Sequence, residues 1–344
     1  GLGNIWRFPY LAAKYGGGIF LLVYIILALT FGYTLIMAET SLGRMTRKSP
    51  VGAFESFGNS RFISIGGWIN AIIPILIVPY YSVIGGWVIK YLIEYFAGHS
   101  KTLAGDAYFT TFISNGWSTE ICFIIFTLFT LGIIYAGVRN GIERVSRFMM
   151  PILIVLSLII AVYSVTRPGA IEGVKYFLVP NFDHFSWMTV VSAMGQMFYS
   201  LSIAMGILIT FGSYMKKDTS IEKSTENVEI FDTAIAIMAG LMIIPAVFAF
   251  SGGNAETLKS GPALMFITIP KVFANMGFGT AIGVVFFLLV LFAAVTSSIA
   301  LTESAVSTFE DELHWSRKKS TVFMGMVMLL LGTLSCLGYG PLAN

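Results

Sequence analysis

The sequence predicts an all-α polytopic membrane protein, and three observations carry that prediction. Of its 344 residues 56% are hydrophobic and only 11% charged, against roughly 25% charged in a soluble domain. The mean hydropathy is +0.81. Apolar stretches near the ~20 residues needed to cross ~30 Å of hydrocarbon recur along the whole length. The net charge of +3 is too small to suggest a nucleic-acid partner, and no run of five like charges forms a tail. Cys122 and Cys336 lie far apart with no Cys or His at metal-ligand spacing, so two buried, inert thiols are expected.

The first ten residues, GLGNIWRFPY, read as the second half of a helix whose first half lies upstream, because the chain opens without Met and places Asn4 and Arg7 beside apolar residues. Gly1 and Gly3 let the backbone leave the helix and expose N–H groups, and a helix resuming at Asn4 aims its positive end at an anion. An ordinary loop-to-helix start with an exposed Arg7 fits these ten residues equally well. The following spans run Gly18 to Ala38, Ile65 to Phe96, Ile121 to Gly137, Met150 to Val165, Trp187 to Tyr214, Ile230 to Phe250, Gly279 to Val306 and Thr321 to Leu337. With the partial first span they make nine. The chain stops soon after the ninth, so residues 1–344 are read as a single transmembrane domain, incomplete at both ends.

Basic residues set the expected orientation. Loops after the second, fourth, sixth and eighth spans hold Arg44, Arg47, Lys48 and Arg61; Arg139, Arg144 and Arg147; Lys216, Lys217 and Lys223; and Arg317, Lys318 and Lys319. The basic side is expected to be cytoplasmic, which puts the missing N-terminus there and makes the protein a multi-pass resident of the plasma membrane. The opposite loops are longer, and the one from Ser251 to Gly277 contains SGPALMFITIPKVF. That apolar run is too short to span and is interrupted by Pro270, so a re-entrant or lid-like element is expected there.

Polar residues inside the spans locate the candidate chemistry. The sixth span, MGQMFYSLSIAMGILITFGSY, carries Gly195, Gln196, Ser200, Ser202 and Gly206, a composition that suggests a second interrupted helix. Paired interruptions in corresponding helices point to a transporter's central site, while helix packing through small residues is the plainer account. Asp232, in the seventh span, costs about 2.5–3.5 kcal/mol on insertion scales unless partnered. A cation from solution or solvation at the helix end would each meet that need. Thr296, Ser297 and Ser298 in the eighth span could cage a hard cation or bond back to their own helix. Tyr80 and Tyr81 follow Pro79 near the middle of the long third span, where a phenol needs a partner.

Taken in order, GLGNIWRFPY, PYYSVIGGW, GQMFYSLS, FDTAIAIMAG and TSSIAL resemble the neurotransmitter:sodium symporter family, bacterial amino-acid transporter branch. The resemblance implies the leucine-transporter fold, an inverted five-helix repeat, here from half of helix 1 through helix 9. It implies that Leu2 and Gly3 N–H groups and the Tyr81 hydroxyl bind a substrate carboxylate, and that Tyr199 and Ser200 carbonyls with Ser202 hold the ammonium. Ile77, Tyr199, Met205, Ser297 and Leu301 would line the side-chain pocket. One sodium would take Asn4, Ser200 and Asp232; a second would take Ala293, Thr296 and Ser297. Arg7 and Tyr199 would belong to the outer gate and Asp311 to the inner gate.

Departures from the family pattern matter too. Asp232 stands where many members carry Asn, Ala236 where chloride-dependent members carry Ser, Ala204 for a common glycine and Met205 for a common aromatic. The resemblance thus implies sodium-coupled, chloride-independent symport of a neutral, hydrophobic or aromatic amino acid, with two sodium ions and a homodimer as further expectations. A non-transporting amino-acid sensor or a channel-like member of the same fold is the alternative. An intramembrane serine hydrolase is disfavoured because His99, His184 and His314 all fall in loops or at span ends, away from Ser200, Ser202 and Ser297.

Overall fold

The computed structural model describes residues 1–258 and 261–343. Helix α1 covers residues 3–14, a π-helical turn at Gly3–Arg7 continuing as Phe8–Lys14 with Pro9 in the first α-turn. The π-helical turn immediately before Pro9 takes up the hydrogen bond that its missing N–H cannot make, one of the local adjustments by which a membrane helix accommodates proline. Helix α2 is Gly18–Thr46, α3 Arg61–Phe96, α4 Gly116–Tyr135 and α5 Val138–Val165. The sixth span is split into α6a (Trp187–Ser200) and α6b (Ile207–Tyr214). Helices α7 (Ile221–Ser251), α8 (Gly279–Leu313) and α9 (Arg317–Tyr339) follow. All nine expected spans are therefore helical, although several run longer than their apolar cores. Helix α2 continues eight residues past Ala38 into the polar stretch ending at Thr46.

Local chemistry sets the ends. Ser60, Asn115, Ser186, Ser220 and Ser316 accept backbone N–H bonds at the starts of α3, α4, α6a, α7 and α9, the ordinary role of a short polar side chain at an N-cap. Helix α7 stops at Gly252, whose φ of 68° suits a residue without Cβ. Helices α2 and α6b cross closely: a Cβ on Gly212 would lie 2.4 Å from the Thr40 carbonyl oxygen, and one on Gly43 2.0 Å from that of Ile209. Small residues at the crossing let two membrane helices touch backbone to backbone.

Two sequence expectations are corrected. The sixth-span interruption occupies residues 201–206, whereas Gly195 lies inside α6a and is regular helix. The left-handed positions in the break belong to Ser202 (φ 58°), Ala204 (φ 61°) and Gly206 (φ 74°). Pro270 does not break the helix it lies in, because the π-helical turn Leu264–Thr268 immediately before Ile269–Ala274 takes up the hydrogen bond that proline cannot make. Together they form the helix Leu264–Ala274, too short to span. It is buried through Leu264, Met265, Phe266, Ile269, Val272 and Phe273 and held by the Tyr91 hydroxyl, which donates to the Phe266 carbonyl at 2.9 Å. Lys259 and Ser260 of the same loop, and Asn344, lie outside the described residues.

Candidate functional site

A cavity of about 240 Å³ lies where the start of α1, the middle of α3, the α6 break and the middle of α8 meet. Its walls include Gly1, Leu2, Gly3 and Asn4 from the first, Ile77 and Tyr81 from the second, Tyr199, Ser200, Ser202 and Met205 from the third, and Thr296, Ser297 and Leu301 from the fourth. Eleven of the twelve distinct residues expected around substrate or its carboxylate-linked sodium are thus brought together; Asp232 stands just behind this wall. The volume falls below the ~300 Å³ at which drug-sized pockets begin, so the cavity suits a small amphipathic molecule.

Part of the cavity wall is polar. Leu2 donates its backbone N–H to the Tyr81 hydroxyl at 3.3 Å. Of the two tyrosines in PYYSVIGGW only Tyr81 turns inward, being 3% exposed against 42% for Tyr80. A Cβ on Gly1 would come within 2.3 Å of Ser297 Oγ, so α1 and α8 meet here at a residue without a side chain. Ile77, Met205 and Leu301 make an apolar part of the lining. The Tyr199 ring lies against Gly3, where a Cβ would stand 2.4 Å from its Cε1, and the Arg7 guanidinium lies 5.4 Å from the ring centroid.

Beside the polar part of the wall is a nest of oxygens. Asn4 Nδ2 donates to Asp232 Oδ1 at 3.0 Å, and the Tyr24 hydroxyl donates to Asp232 Oδ2 at 3.1 Å. Ser200 Oγ lies 2.8 Å from Asn4 Oδ1 and 2.7 and 2.9 Å from the two Asp232 oxygens. That hydroxyl has one proton to share among three acceptors. The cluster therefore holds more oxygen lone pairs than protons, the donor set a hard monovalent cation needs. The Asp232 carboxylate is engaged by three side chains, from α1, α2 and α6a, and is not simply a solvated helix end. Tyr24 escaped the sequence analysis because it is a single aromatic in an apolar span; its signal was only a phenol at a depth where one needs a partner.

The second expected cation site is arranged differently. Thr296 donates its hydroxyl hydrogen to the Phe292 and Ala293 carbonyls at 3.0 and 3.1 Å, which leaves its lone pairs available. Thr296 and Ser297 face the cavity, whereas Ala293 is 2% exposed and lies behind them. Ser298 turns away and pairs with Thr130 of α4 at 3.3 Å. Met150 of α5, Ile207 and Ala300 also line the cavity and were not expected; nothing in their local sequence separates them from packing residues.

Three further helix carboxylates have partners outside this site. Glu39 Oε1 accepts the Ala204 N–H at 2.8 Å, inside the α6 break. Glu303 is ion-paired with Arg317 at 2.6 Å and accepts the Tyr214 hydroxyl at 2.5 Å. Asp311 Oδ2 accepts the Ser49 backbone N–H at 2.6 Å, at the start of the short helix Pro50–Glu55.

Comparison with known proteins places this geometry. The family model described as the sodium:neurotransmitter symporter family matches residues 1–126 and 113–341. An uncharacterized sodium-dependent transporter, YhdH, of Bacillus subtilis is 35% identical over 100% of this chain and 76% of its own length. One from Haemophilus influenzae is 31% identical over 97% of this chain and 75% of its own length. The crystal structure of MhsT in complex with L-phenylalanine superposes with a TM-score of 0.89 at 36% identity, covering 100% of this chain and 78% of that one.

Proposed function

The chain belongs to the sodium:neurotransmitter symporter family and is a sodium-dependent transporter, and from that premise we propose that it moves a neutral hydrophobic or aromatic L-amino acid together with sodium and without chloride. The observation that carries this reading is the adjacency of the Asn4–Ser200–Asp232 nest to the Leu2–Tyr81 part of the cavity wall. A substrate carboxylate there would lie between the N–H groups of the α1 start, the Tyr81 phenol and a sodium ion in the nest. Ser202 and the Tyr199 and Ser200 carbonyls would then take the ammonium, and Ile77, Met205 and Leu301 the side chain. The L-phenylalanine held by MhsT supports an aromatic or large apolar side chain, and the adaptable thioether of Met205 fits such a ligand.

Coupling follows from the shared carboxylate. A ligand shifts the outward–inward equilibrium only by its differential affinity for the two states, and substrate that completes a sodium shell gives each solute a stake in the other's site. A tenfold sodium gradient contributes about 1.4 kcal/mol per ion, and 100 mV about 2.3 kcal/mol per charge. With a second ion at Thr296 and Ser297, the two together supply roughly 7 kcal/mol for a zwitterion.

Chloride independence rests on Asp232 and Ala236. Sodium ions entering with a zwitterion bring positive charge into a low-dielectric centre, where it must be offset. Asp232 supplies a fixed negative charge in the nest, while Glu303 is already neutralised by Arg317. Ala236, one turn on and fully buried, offers no side-chain ligand to an anion. A single transport unit, a homodimer, a plasma-membrane location and a cytoplasmic upstream segment complete the proposal; the basic loops support the orientation.

The test is uptake by the full-length protein in proteoliposomes. Substrate accumulation above equilibrium that collapses when sodium is equalised supports symport, whereas binding without accumulation would support a sensor. Leucine, methionine, phenylalanine and tryptophan are expected to compete. Glutamate, lysine or a decarboxylated amine competing better would overturn the substrate assignment.

A further inference from the structure

Tyr24 of α2 touches the oxygen nest without forming part of the cavity wall. It is fully buried, and its hydroxyl donates to Asp232 Oδ2 at 3.1 Å. Its ring meets Phe8 of α1 edge-on at 5.1 Å between centroids, and Phe8 is packed edge-on in turn by Phe20 and Phe177. A ring seated in such a cluster has little freedom, so the hydroxyl is a fixed donor.

Counting donors shows what the phenol does. Asn4 Nδ2 donates to Asp232 Oδ1 at 3.0 Å, Tyr24 donates to Oδ2, and Ser200 Oγ lies 2.7 and 2.9 Å from the two oxygens. Three donors thus meet a carboxylate with about four acceptor positions, which leaves roughly one for a cation. Without the phenol a second position opens, on Oδ2, and the carboxylate can grasp an ion with both oxygens, a mode that calcium sites use. Each donor also draws on the charge of the oxygen it binds, so its removal raises the field on the ion. A stronger field favours a smaller or more highly charged cation, since Coulomb attraction grows with charge and closeness.

We propose that Tyr24 sets the cation preference of the nest. By occupying an acceptor position on Oδ2 it keeps Asp232 to one coordinating oxygen and to a field that favours sodium over lithium and calcium. Tyr24 is a positioning residue in this role, because it acts on the ion only through Asp232. The inference rests on the reading of Asn4, Ser200 and Asp232 as a sodium site, and it adds to that reading the side chain that makes the site selective.

Cation binding by the full-length protein in detergent tests it, read as displacement of radioactive sodium by lithium or calcium and as the rise of the thermal midpoint with each cation. Tyr24→Phe keeps the ring and its contact with Phe8. It is expected to cut the preference for sodium over lithium about tenfold, and to let calcium displace sodium about tenfold more readily than in the parent. Each ratio is taken against the parent, so a second cation site contributes equally to both. A ring-fluorinated tyrosine at position 24 keeps the hydroxyl and is a stronger donor, so it is expected to move both ratios the opposite way even if Tyr24→Phe fails to fold. Equal weakening of all three cations, the result of a purely structural role, overturns the proposal, as does an unchanged preference. Asp232→Asn tells that failure from a failure of the nest itself. It is expected to weaken sodium binding about tenfold, and parent-like binding by this variant would remove the nest as a sodium site.

Discussion

Asn4 and Asp232, 228 residues apart, are joined by a 3.0 Å hydrogen bond between amide nitrogen and carboxylate, with Ser200 within 2.9 Å of both. Three helices thus converge on one oxygen nest, and the negative charge at its centre is fixed by the polypeptide. Replacing Asp232 with Asn keeps the shape and removes the charge. Transport by Asp232→Asn is expected to fall more than tenfold in sodium gluconate and to recover in part in sodium chloride, since a free anion can then supply what the carboxylate gave. Uptake measured in the two salts decides the matter; full chloride-free activity of the variant would refute the role.

The second cation site is tested by Thr296→Val with Ser297→Ala. The first change preserves volume and the second removes one oxygen, so two ligands go while the helix remains. Hydrogen bonds to charged groups are worth about 1.5–3 kcal/mol, so the sodium concentration for half-maximal uptake is expected to rise at least tenfold. An unchanged sodium curve would remove Thr296 and Ser297 from the ion path.

The contrast between these two sites shows what was legible in the sequence. Asp232 announced itself because a carboxylate in an apolar run has few structural explanations, and Tyr81 because Pro79 and a paired tyrosine stand mid-span. Thr296 could not be separated from a back-bonding threonine, and in the structure it does bond back, to Phe292 and Ala293. The α6 break was visible as a serine- and glycine-rich stretch between Gly195 and Gly206 but could not be bounded more closely, because its left-handed residues include Ser202 and Ala204, types that do not advertise positive φ. Tyr24 was invisible for the opposite reason: an aromatic among aliphatics reads as packing until its hydroxyl is seen on Asp232.

Ala204 carries a further expectation. Its φ of 61° places a Cβ where L-residues are strained, at a cost of about 1–2 kcal/mol. Its N–H is held by Glu39 at 2.8 Å. Ala204→Gly relieves the strain and gives back part of the gain as unfolded-state entropy, so thermal stability in detergent is expected to rise by about 1–2 °C. Ala204→Val is expected to lower it, because a β-branched residue tolerates positive φ least. A valine variant as stable as the parent would show that the break relaxes freely at this residue.

Gly3 and Tyr199 make the last test, of how the cavity closes. A Cβ at Gly3 would stand 2.4 and 2.7 Å from Tyr199 Cε1 and Cδ1, too near for either group to stay in place, and the Arg7 guanidinium bounds the ring on another side. Gly3→Ala must therefore push the ring off its seat. If that seat is the closed position, the variant is expected to lose uptake more than tenfold while a cysteine placed at Met205 becomes more reactive to a water-soluble thiol reagent. A rival account, that any side chain at Gly3 merely deforms α1, predicts the same loss of uptake but makes it independent of the ring. The two separate in a double-mutant cycle, because residues in contact couple whereas independent ones add. Tyr199→Leu removes the ring's edge, so Gly3→Ala is expected to cost much less in that background than in the parent; equal cost in both would show that Tyr199 is not what Gly3 makes room for.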